Sequence, residues 1–340
     1  MHDLREPLPG VGDWHTAPVA PYVSDPVPDV LGGGWTARTI EFGPNDGPAV
    51  ATLVSPASRS ELAVLYVHGF CDYFFHAELA DRFARAGWTV HGLDLRRHGR
   101  SLRPYQLPNF VTDLAEHHVE LDAAYDLLAA EGARRIVVIG HSTGGLVVSL
   151  WADARRRAGL PVPDALVLNS PWLDHRGPWW QRTVGTRVLH QVGAARPHAV
   201  LPRAVSGVYV ESLHRDLRGE WDFDTAWKPA GSFPVRAGWL RAVRQGHAAV
   251  HRGIEVGAPV LVLASGATAS VQDWDEIATR TDTVLDVEQI AHWANRLGSR
   301  VTLTRLDGAV HDVYLSARPV RDRAYDVTLR WLDAVTAARG

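Results

Sequence analysis

A glycine-rich turn between an apolar run and a helix-compatible stretch constrains this chain more than any other feature. Residues 140–145 read Gly-His-Ser-Thr-Gly-Gly and directly follow the apolar run 136–139. A Gly-x-Ser-x-Gly turn between a strand and a helix is a nucleophile elbow, which holds its serine in a strained conformation with the hydroxyl exposed. Side chains at Gly140 and Gly144 would collide across so tight a turn. The pattern predicts Ser142 as an attacking nucleophile, and the chain as a hydrolase or acyl transferase.

The composition is that of an ordinary globular protein. The 340 residues are enough for one large α/β domain with an insertion, or for two domains. Hydrophobic residues make up 46% and charged residues 21%, and a net charge of −3 gives no argument for binding nucleic acid or an anionic membrane. No apolar run approaches the roughly 18 residues of a transmembrane segment. The N-terminus lacks the apolar segment of a signal peptide.

Cysteine and lysine each occur only once in the chain. Cys71 is the single cysteine, which excludes a disulfide within the chain and a Cys-rich metal site. Both points favour a cytoplasmic location. Lys228 is the single lysine, so arginine carries almost all of the basic charge. We interpret this as a bias of coding composition.

Strand and helix patterns alternate along most of the chain. Strands are predicted at 35–42, 50–54, 62–67, 88–91, 136–139, 165–168, 259–264 and 301–306. Helices are predicted at 77–86, 110–130, 145–158, 287–297 and 320–338. Unbroken apolar strands suit a parallel sheet that is buried on both faces. The alternation therefore predicts an α/β fold with a mostly parallel central sheet flanked by helices.

Two segments depart from this alternation. Residues 1–34 are rich in Pro and Gly and predict an irregular N-terminal arm. Residues 171–255 hold many Trp and Arg and show no clear strand pattern. Because ligand sites in open α/β sheets lie beyond the carboxyl ends of the strands, we interpret this segment as an inserted helical cap; an ordinary helical layer is the alternative. The core then comprises residues 35–170 and 256–340.

The serine needs a base, since its hydroxyl is a poor nucleophile until a neighbouring group takes its proton. In this kind of fold the chain order is Ser, then Asp or Glu, then His. His311 lies in the loop just after the last predicted strand, from which it can reach the elbow, and is therefore the predicted base, with a surface-loop histidine as the alternative. His292 is less suitable because it falls inside a helical pattern.

A carboxylate should orient the base. Four aspartates follow the strand predicted at 259–264, namely Asp273, Asp275, Asp282 and Asp286. We predict Asp282 as the acid. Asp286 is the runner-up, because it would equally serve as the N-cap of the next helix.

The developing oxyanion needs backbone N–H donors. One should be the amide of Thr143, directly after the nucleophile, and the other should come from the loop after the third strand. There the sequence reads His68-Gly69-Phe70, which predicts the Phe70 amide as the second donor. His68 is predicted to be structural, with its ring bonded to nearby backbone, rather than a second base.

Four motifs together resemble the α/β-hydrolase fold superfamily. They are His-Gly-Phe at 68–70, Asp-Leu-Arg-Arg-His-Gly-Arg-Ser at 94–101, the turn at 140–145, and Gly-Ala-Val-His-Asp at 308–312. The chain is most similar to the branch of serine-aminopeptidase-like and monoacylglycerol-lipase-like proteins, often called lysophospholipases. The resemblance covers roughly residues 35–335 and is weakest in the cap.

The resemblance implies the same site as the residues do. It implies Ser142 as nucleophile, His311 as base, Asp282 as acid, and the Phe70 and Thr143 amides as the oxyanion hole. Two features depart from the family pattern. Arginine stands at position 97, where the family commonly has glycine, and the loop between residues 264 and 282 is longer than usual.

The function expected on these grounds is a cofactor-free serine esterase acting through an acyl-enzyme. The resemblance suggests a fatty-acyl monoester substrate, such as a monoacylglycerol or a lysophospholipid. A peptidase or amidase, an acyltransferase, and a non-catalytic ligand-binding protein on the same fold are the alternatives. The tryptophans of the predicted cap either line an acyl pocket or pack the cap onto the core.

Two histidine groups bear on whether a metal binds. Residues 116–120 read Glu-His-His-Val-Glu, and His247 and His251 are spaced i,i+4. A catalytic zinc needs three protein ligands, and no third ligand group is evident near residues 116–120. His247 and His251 lack the metalloprotease pattern His-Glu-x-x-His. We expect no metal, and we interpret residues 116–120 as a solvated helix face.

Overall fold

The strands form one sheet that sets the architecture. In the computed structural model, which describes residues 21–42, 49–176, 191–202 and 206–337, this sheet has ten strands. The strands are β1 (Tyr22–Val23), β2 (Val27–Pro28), β3 (Thr36–Phe42), β4 (Ala49–Ser55), β5 (Leu62–Val67), β6 (Thr89–Asp94), β7 (Arg135–His141), β8 (Ala165–Asn169), β9 (Val260–Ser265) and β10 (Val301–Leu306). The helices are α1 (Ala77–Arg85), α2 (His118–Ala130), α3 (Thr143–Arg157), α4 (Val208–Leu213), α5 (Ala237–Arg252), α6 (Val287–Ala294) and α7 (Arg318–Ala337).

The strand order is β1-β3-β4-β6-β5-β7-β8-β9-β10, with β2 also paired to β3. In this order, neighbouring strands from β6 to β10 pair parallel. The pairs among β1, β2, β3 and β4, and the pair of β4 with β6, are antiparallel. The predicted α/β fold with a mostly parallel sheet is confirmed. Val67 pairs with Gly140, and His141 pairs with Asn169, so β5, β7 and β8 end together at one edge. That edge is where ligand sites of open α/β sheets lie.

Side chains of the central strands alternate between two cores. Leu65 and Val138 belong to the cluster that α2, α3, α5 and α6 cover, and Tyr66 and Val137 belong to the cluster on the α1 and α7 face. This period of two is the geometry of a strand, in which successive side chains point to opposite faces. Because both faces are covered, these strands read as unbroken apolar runs.

The structure changes several predicted bounds. The helix predicted over 110–130 begins at His118, because the Asp113 side chain and Glu116 form a capping box that opens a 3₁₀ turn, Leu114–His117. The described part of the predicted arm, residues 21–34, contributes β1 and β2. Residues 1–20 of the arm lie outside the described residues, and so does residue 338, the last of the helix predicted over 320–338.

The segment between β8 and β9 holds helices in its described part. Residues 191–195 are helical, and α4 and α5 follow. On α5, Trp239, Val243 and Val250 are buried in the core that α3 shares. Residues 177–190 and 203–205, including Trp179 and Trp180, lie outside the described residues.

The interpretation of residues 116–120 as a solvated face is wrong for two of the five, His117 and Glu120. His117 is buried and Glu120 has no exposed area. Glu120 accepts a hydrogen bond from the Arg96 backbone N–H at 2.9 Å and forms an ion pair with the Arg96 guanidinium. Burial would raise the pKa of the Glu120 carboxyl, but His117 and Arg96 outweigh that effect and hold the pKa below its ordinary value. Glu120 thus ties α2 to the loop after β6.

Replacing Glu120 should therefore destabilise the fold. We expect Glu120→Gln to lower the free energy of unfolding by about 3 kcal/mol at pH 7, because it leaves the buried Arg96 cation with only the more distant carboxylate of Glu116, at 3.7 Å. Glu120 has a lowered pKa in the folded state, so its contribution is present above the unfolded pKa of about 4.3 and is lost as the pH falls below it. Urea unfolding at pH 7 and at low pH measures both effects.

The matched control is Glu288→Gln, which removes a surface pair with Arg305. Exposed pairs contribute at most about 1 kcal/mol, so this variant should unfold almost like the wild type. Equal losses in the two variants at pH 7 would contradict the assigned role of Glu120.

Candidate active site

The turn after β7 holds Ser142 in a left-handed backbone conformation. Its φ is 52° and its ψ is −118°, and α3 begins at the next residue. Such a conformation costs a non-glycine residue about 1–3 kcal/mol and persists only where the surroundings impose it. A Cβ at Gly140 would lie 2.6 Å from Val148 Cγ2, and one at Gly144 would overlap the His68 carbonyl oxygen. The glycines therefore permit the packing that the predicted elbow needs.

The ring of His311 is oriented by Asp282. His311 Nδ1 lies 2.8 Å from Asp282 Oδ2, and the Asp282 side chain is fully buried. The other carboxylate oxygen, Oδ1, accepts the backbone N–H groups of Val284 at 2.8 Å and Leu285 at 2.7 Å. A carboxylate so placed accepts the Nδ1 proton of the imidazole and leaves Nε2 as its basic nitrogen.

The two candidate acids have different partners. Asp286 accepts the Glu288 N–H at 3.0 Å and serves as the N-cap of α6. The long loop before Asp282 does not displace it, because the Asp282 N–H donates to the Ala267 carbonyl at 2.9 Å. The chain leaves β9, forms the long loop, and comes back at Asp282 to the end of β9. The structure thus brings Asp282, and not Asp286, to His311.

A second buried carboxylate anchors the loop that carries His311. Asp312 Oδ2 lies 2.9 Å from His76 Nε2, and its Oδ1 accepts Asn169 Nδ2 at 2.6 Å. The Asp312 N–H donates to the Tyr209 hydroxyl at 3.1 Å. Burial would raise the pKa of Asp312, but His141, His76 and the hydrogen bonds from His76 and Asn169 hold it far below its usual range. Asp312 therefore stays ionised and fixes the backbone next to His311.

His141 lies beside His311, with ring centroids 4.8 Å apart. Burial lowers the pKa of His141 to about 4, so this ring is neutral at neutral pH. A neutral neighbour does not repel a positive charge on His311.

The loop after β5 lies against the elbow. A Cβ at Gly69 would lie 3.0 Å from the Ser142 Cβ, so a larger residue would disturb this contact. Within the described ranges, no group accepts a hydrogen bond from the N–H of Phe70 or Thr143. Neither predicted donor is therefore occupied by another group of the described residues.

His68 makes two bonds to backbone. Its Nε2 accepts the Leu95 N–H at 3.0 Å, so the proton lies on Nδ1, which donates to the Gly69 carbonyl at 2.8 Å. Both ring nitrogens are occupied. This is the backbone-bonded geometry expected of a structural His68.

Arg97 stands in a backbone conformation that suits the glycine of the family pattern. Its φ is 63°, the left-handed region that glycine enters without strain. The Arg97 guanidinium donates to the Phe110 carbonyl oxygen and lies near the Phe110 ring. Arginine therefore occupies a glycine-type backbone position with its side chain bonded to the neighbouring loop.

One cavity of about 350 Å³ joins the predicted residues. Ser142, His311, Phe70 and Thr143 all line it, and Asp282 bonds His311 from behind. Its lining also includes large apolar side chains, among them Trp172, Trp239, Val210, Val235 and Leu240. The volume and lining are typical of a small-molecule site.

Sequence reasoning missed several residues of this site. Asp72, Lys228 and Tyr209 line the cavity, and Asp312 anchors the histidine loop. Lys228 alone carried a usable signal, since the one lysine of an arginine-rich chain is an unusual choice. The others depend on contacts between distant segments, which no local pattern records.

Neither metal ligands nor membrane helices are found in the described ranges. No three His, Cys, Asp or Glu side chains in those ranges come together to hold a metal ion. His247 Nε2 instead bonds the Trp172 carbonyl at 2.9 Å, and His251 Nε2 bonds the Leu173 carbonyl at 3.0 Å. No helix there is both long and apolar enough to cross a membrane.

Solved structures of several hydrolases are similar to this chain. A monoacylglycerol lipase of Paleococcus ferrophilus is 18% identical with a TM-score of 0.61, and the match covers 82% of this chain and 96% of that one. A soluble variant of the monoglyceride lipase of Saccharomyces cerevisiae, in complex with a substrate analogue, is 15% identical with a TM-score of 0.60, covering 86% and 93%. Est1E of Butyrivibrio proteoclasticus, with ferulic acid bound, is 16% identical with a TM-score of 0.51, covering 86% and 97%. At these identities the likeness shows the shared fold.

A match to a family model identifies the family of this chain. The model described as Serine aminopeptidase, S33, matches residues 58–316. Comparison with curated proteins finds no match. The matched span includes Ser142, Asp282 and His311. Because it covers more than half of the chain, this protein belongs to the serine aminopeptidase S33 family of α/β-hydrolases.

Proposed function

We propose that the protein is a serine hydrolase that cleaves carboxylic esters through an acyl-enzyme. The observation that carries the proposal is the 2.8 Å bond from His311 to Asp282, with His311 and Ser142 lining one cavity. A histidine bound to a carboxylate and facing the same cavity as a serine supports a triad of nucleophile, base and orienting carboxylate, which would activate the serine hydroxyl.

In the proposed reaction, Ser142 Oγ attacks the ester carbonyl and its proton passes to His311 Nε2. Asp282 stabilises the imidazolium that forms. The N–H groups of Phe70 and Thr143 bind the oxyanion, each contributing roughly 10²–10³ in rate. The imidazolium then gives its proton to the leaving alcohol. Water, activated by His311, attacks the acyl-enzyme and releases the acid.

The substrate we propose is a small fatty-acyl monoester, such as a monoacylglycerol or a lysophospholipid. The aromatic wall supports this choice: the Phe70 and Trp239 rings lie 4.0 Å apart, and those of Trp239 and Trp172 lie 5.8 Å apart. Apolar area of this kind suits an acyl chain. Two of the similar structures are monoacylglycerol or monoglyceride lipases. We further propose that residues 171–255 form a cap over this cavity, as the sequence predicts.

Three other activities remain as alternatives. The family description, serine aminopeptidase, favours a peptidase or amidase as the second candidate. An acyltransferase would use the same three residues with an alcohol in place of water, and a non-catalytic binding protein would use the cavity alone. The expected cytoplasmic location stays a prediction.

Ser142 should react with a fluorophosphonate probe. We expect the wild type to be labelled at one site and Ser142→Ala to be unlabelled, because the probe reacts with an activated serine hydroxyl. Mass spectrometry of the labelled peptide identifies the residue. Ser149→Ala is the control, since Ser149 is also buried but bonds the Gly145 carbonyl. Wild-type labelling no stronger than that of Ser142→Ala would remove the basis for an enzyme.

Asp282 and Asp286 should differ strongly in their effect on rate. We expect Asp282→Asn to lower kcat by about 10⁴, as loss of the orienting carboxylate does in serine proteases. Asp286→Asn should leave kcat within twofold, because asparagine caps helices as well as aspartate does. Steady-state kinetics on a p-nitrophenyl ester measure both, and the reverse ranking would refute the assignment of the acid.

Ester and amide substrates should separate the leading candidates. We expect p-nitrophenyl esters of medium and long acyl chains to be cleaved with a kcat/KM above that of the acetate, because more apolar area is buried against the aromatic wall. Aminoacyl-nitroanilides measured beside them should be poor substrates. Preference for the anilides would favour the peptidase instead.

A further inference from the structure

An uncommon backbone conformation lies in the middle of the loop after β5. Cys71 has a φ of 53°, in the left-handed region. It stands between Phe70, whose amide is the proposed oxyanion donor, and Asp72. A non-glycine residue keeps this conformation only where its surroundings over-determine it. The loop must therefore be held from outside, and on both sides of Cys71.

On the Asp72 side, the loop is bound by the single lysine of the chain. Lys228 Nζ lies 2.6 Å from Asp72 Oδ1. Lys228 is 4% exposed and Asp72 is 2% exposed. The ammonium also lies near three aromatic rings, at 5.7 Å from the centroids of Phe75 and Tyr209 and at 5.9 Å from that of Phe223. Lys228 is thus fixed in place by cation–π contacts as well as by the ion pair.

On the Phe70 side, the loop is held by aromatic packing. The Phe70 ring packs on Trp239 of α5, which also packs on Trp172. The backbone N–H of Trp172 donates to the Ser142 carbonyl at 3.0 Å. Trp239 and Lys228 both belong to the segment between β8 and β9. That segment therefore contacts the loop on both sides of Cys71, next to the elbow.

The charge of Lys228 has a second consequence. Asp72 lines the same cavity as Ser142, where negative charge develops on the substrate oxygen. A buried carboxylate without a counter-charge would repel that oxygen. Burial would raise the pKa of Asp72, but Lys228 and, to a smaller extent, His141 outweigh it and hold the carboxyl ionised. Lys228 cancels this charge within the cavity wall.

We propose that Lys228 is a positioning residue for the oxyanion hole. By binding Asp72 from the segment between β8 and β9, it fixes the loop so that the Phe70 N–H points at the reacting carbonyl. The inference rests on the proposed esterase function. In this role Lys228 acts through Asp72 and the loop, and not directly on the reacting atoms.

The test is the kinetics of Lys228→Met, which keeps the length of the side chain and removes its charge. On a p-nitrophenyl ester, we expect kcat to fall between about 10-fold and 100-fold, less than the complete loss of a donor costs. KM should stay within threefold, because the substrate contacts remain. Arg38→Met is the matched control: Arg38 is a similarly buried cation paired with Glu131, away from the cavity, and its loss should leave kcat within twofold.

Two further variants decide the outcome. If Lys228→Met fails to fold, Asp72→Asn tests the same ion pair with an unchanged shape, and kcat should again fall with KM preserved. In the double variant Asp72→Asn/Lys228→Met, no buried charge is left unpaired, so the thermal midpoint should recover while kcat stays low. Recovery of kcat in the double variant, or wild-type kcat in Lys228→Met, would overturn the proposal. A wild type that neither hydrolyses esters nor reacts with the fluorophosphonate would instead overturn the proposed function.

Discussion

The backbone of Ser142 depends on the close approach of α3 to the end of β5. The turn at φ 52° is possible only because Gly144 lets the helix start pack directly on the His68 carbonyl. The same contact brings the loop of Gly69 and Phe70 against Ser142. One steric constraint therefore places both the candidate nucleophile and the candidate oxyanion donors at a single edge of the sheet. Catalytic geometry of this kind needs elements that are rigid, and both β5 and β7 are buried on both faces.

The second requirement is that the base approach from a distant part of the chain in the correct orientation. His311 lies on a loop after β10, and its position is set by bonds that cross the fold. Asp282 binds its ring, while Asp312, one residue on, binds Asn169 at the end of β8. These carboxylates are buried, yet each accepts at least three hydrogen bonds, and such bonds are the condition for keeping a charge in an apolar interior. The loop therefore holds the imidazole of His311 in one orientation.

The sequence predicts the features that depend on neighbouring residues, and misses those that depend on contacts between distant segments. The elbow, the parallel sheet and the place of His311 depend on local patterns and on chain order, so they could be read directly. The sequence favoured Asp282 over Asp286 but left Asp286 open, since both precede α6 and the hydrogen bond that returns the loop to Ala267 joins distant positions. The burial of Glu120 was missed because its partner, Arg96, lies on another element. The pair of Asp72 and Lys228 spans 156 positions, and no periodicity records such a contact.

The central claim is that Ser142, the Phe70 loop and His311 act as one site on a tetrahedral intermediate. The most direct measurement is a crystal structure of the protein after reaction with an alkyl phosphonate, whose adduct mimics that intermediate. The account predicts phosphorus bonded to Ser142 Oγ, with one phosphonyl oxygen within hydrogen-bond distance of both the Phe70 and the Thr143 N–H groups and His311 Nε2 facing the serine oxygen. An adduct on another residue, or a phosphonyl oxygen turned away from both amides, would contradict it.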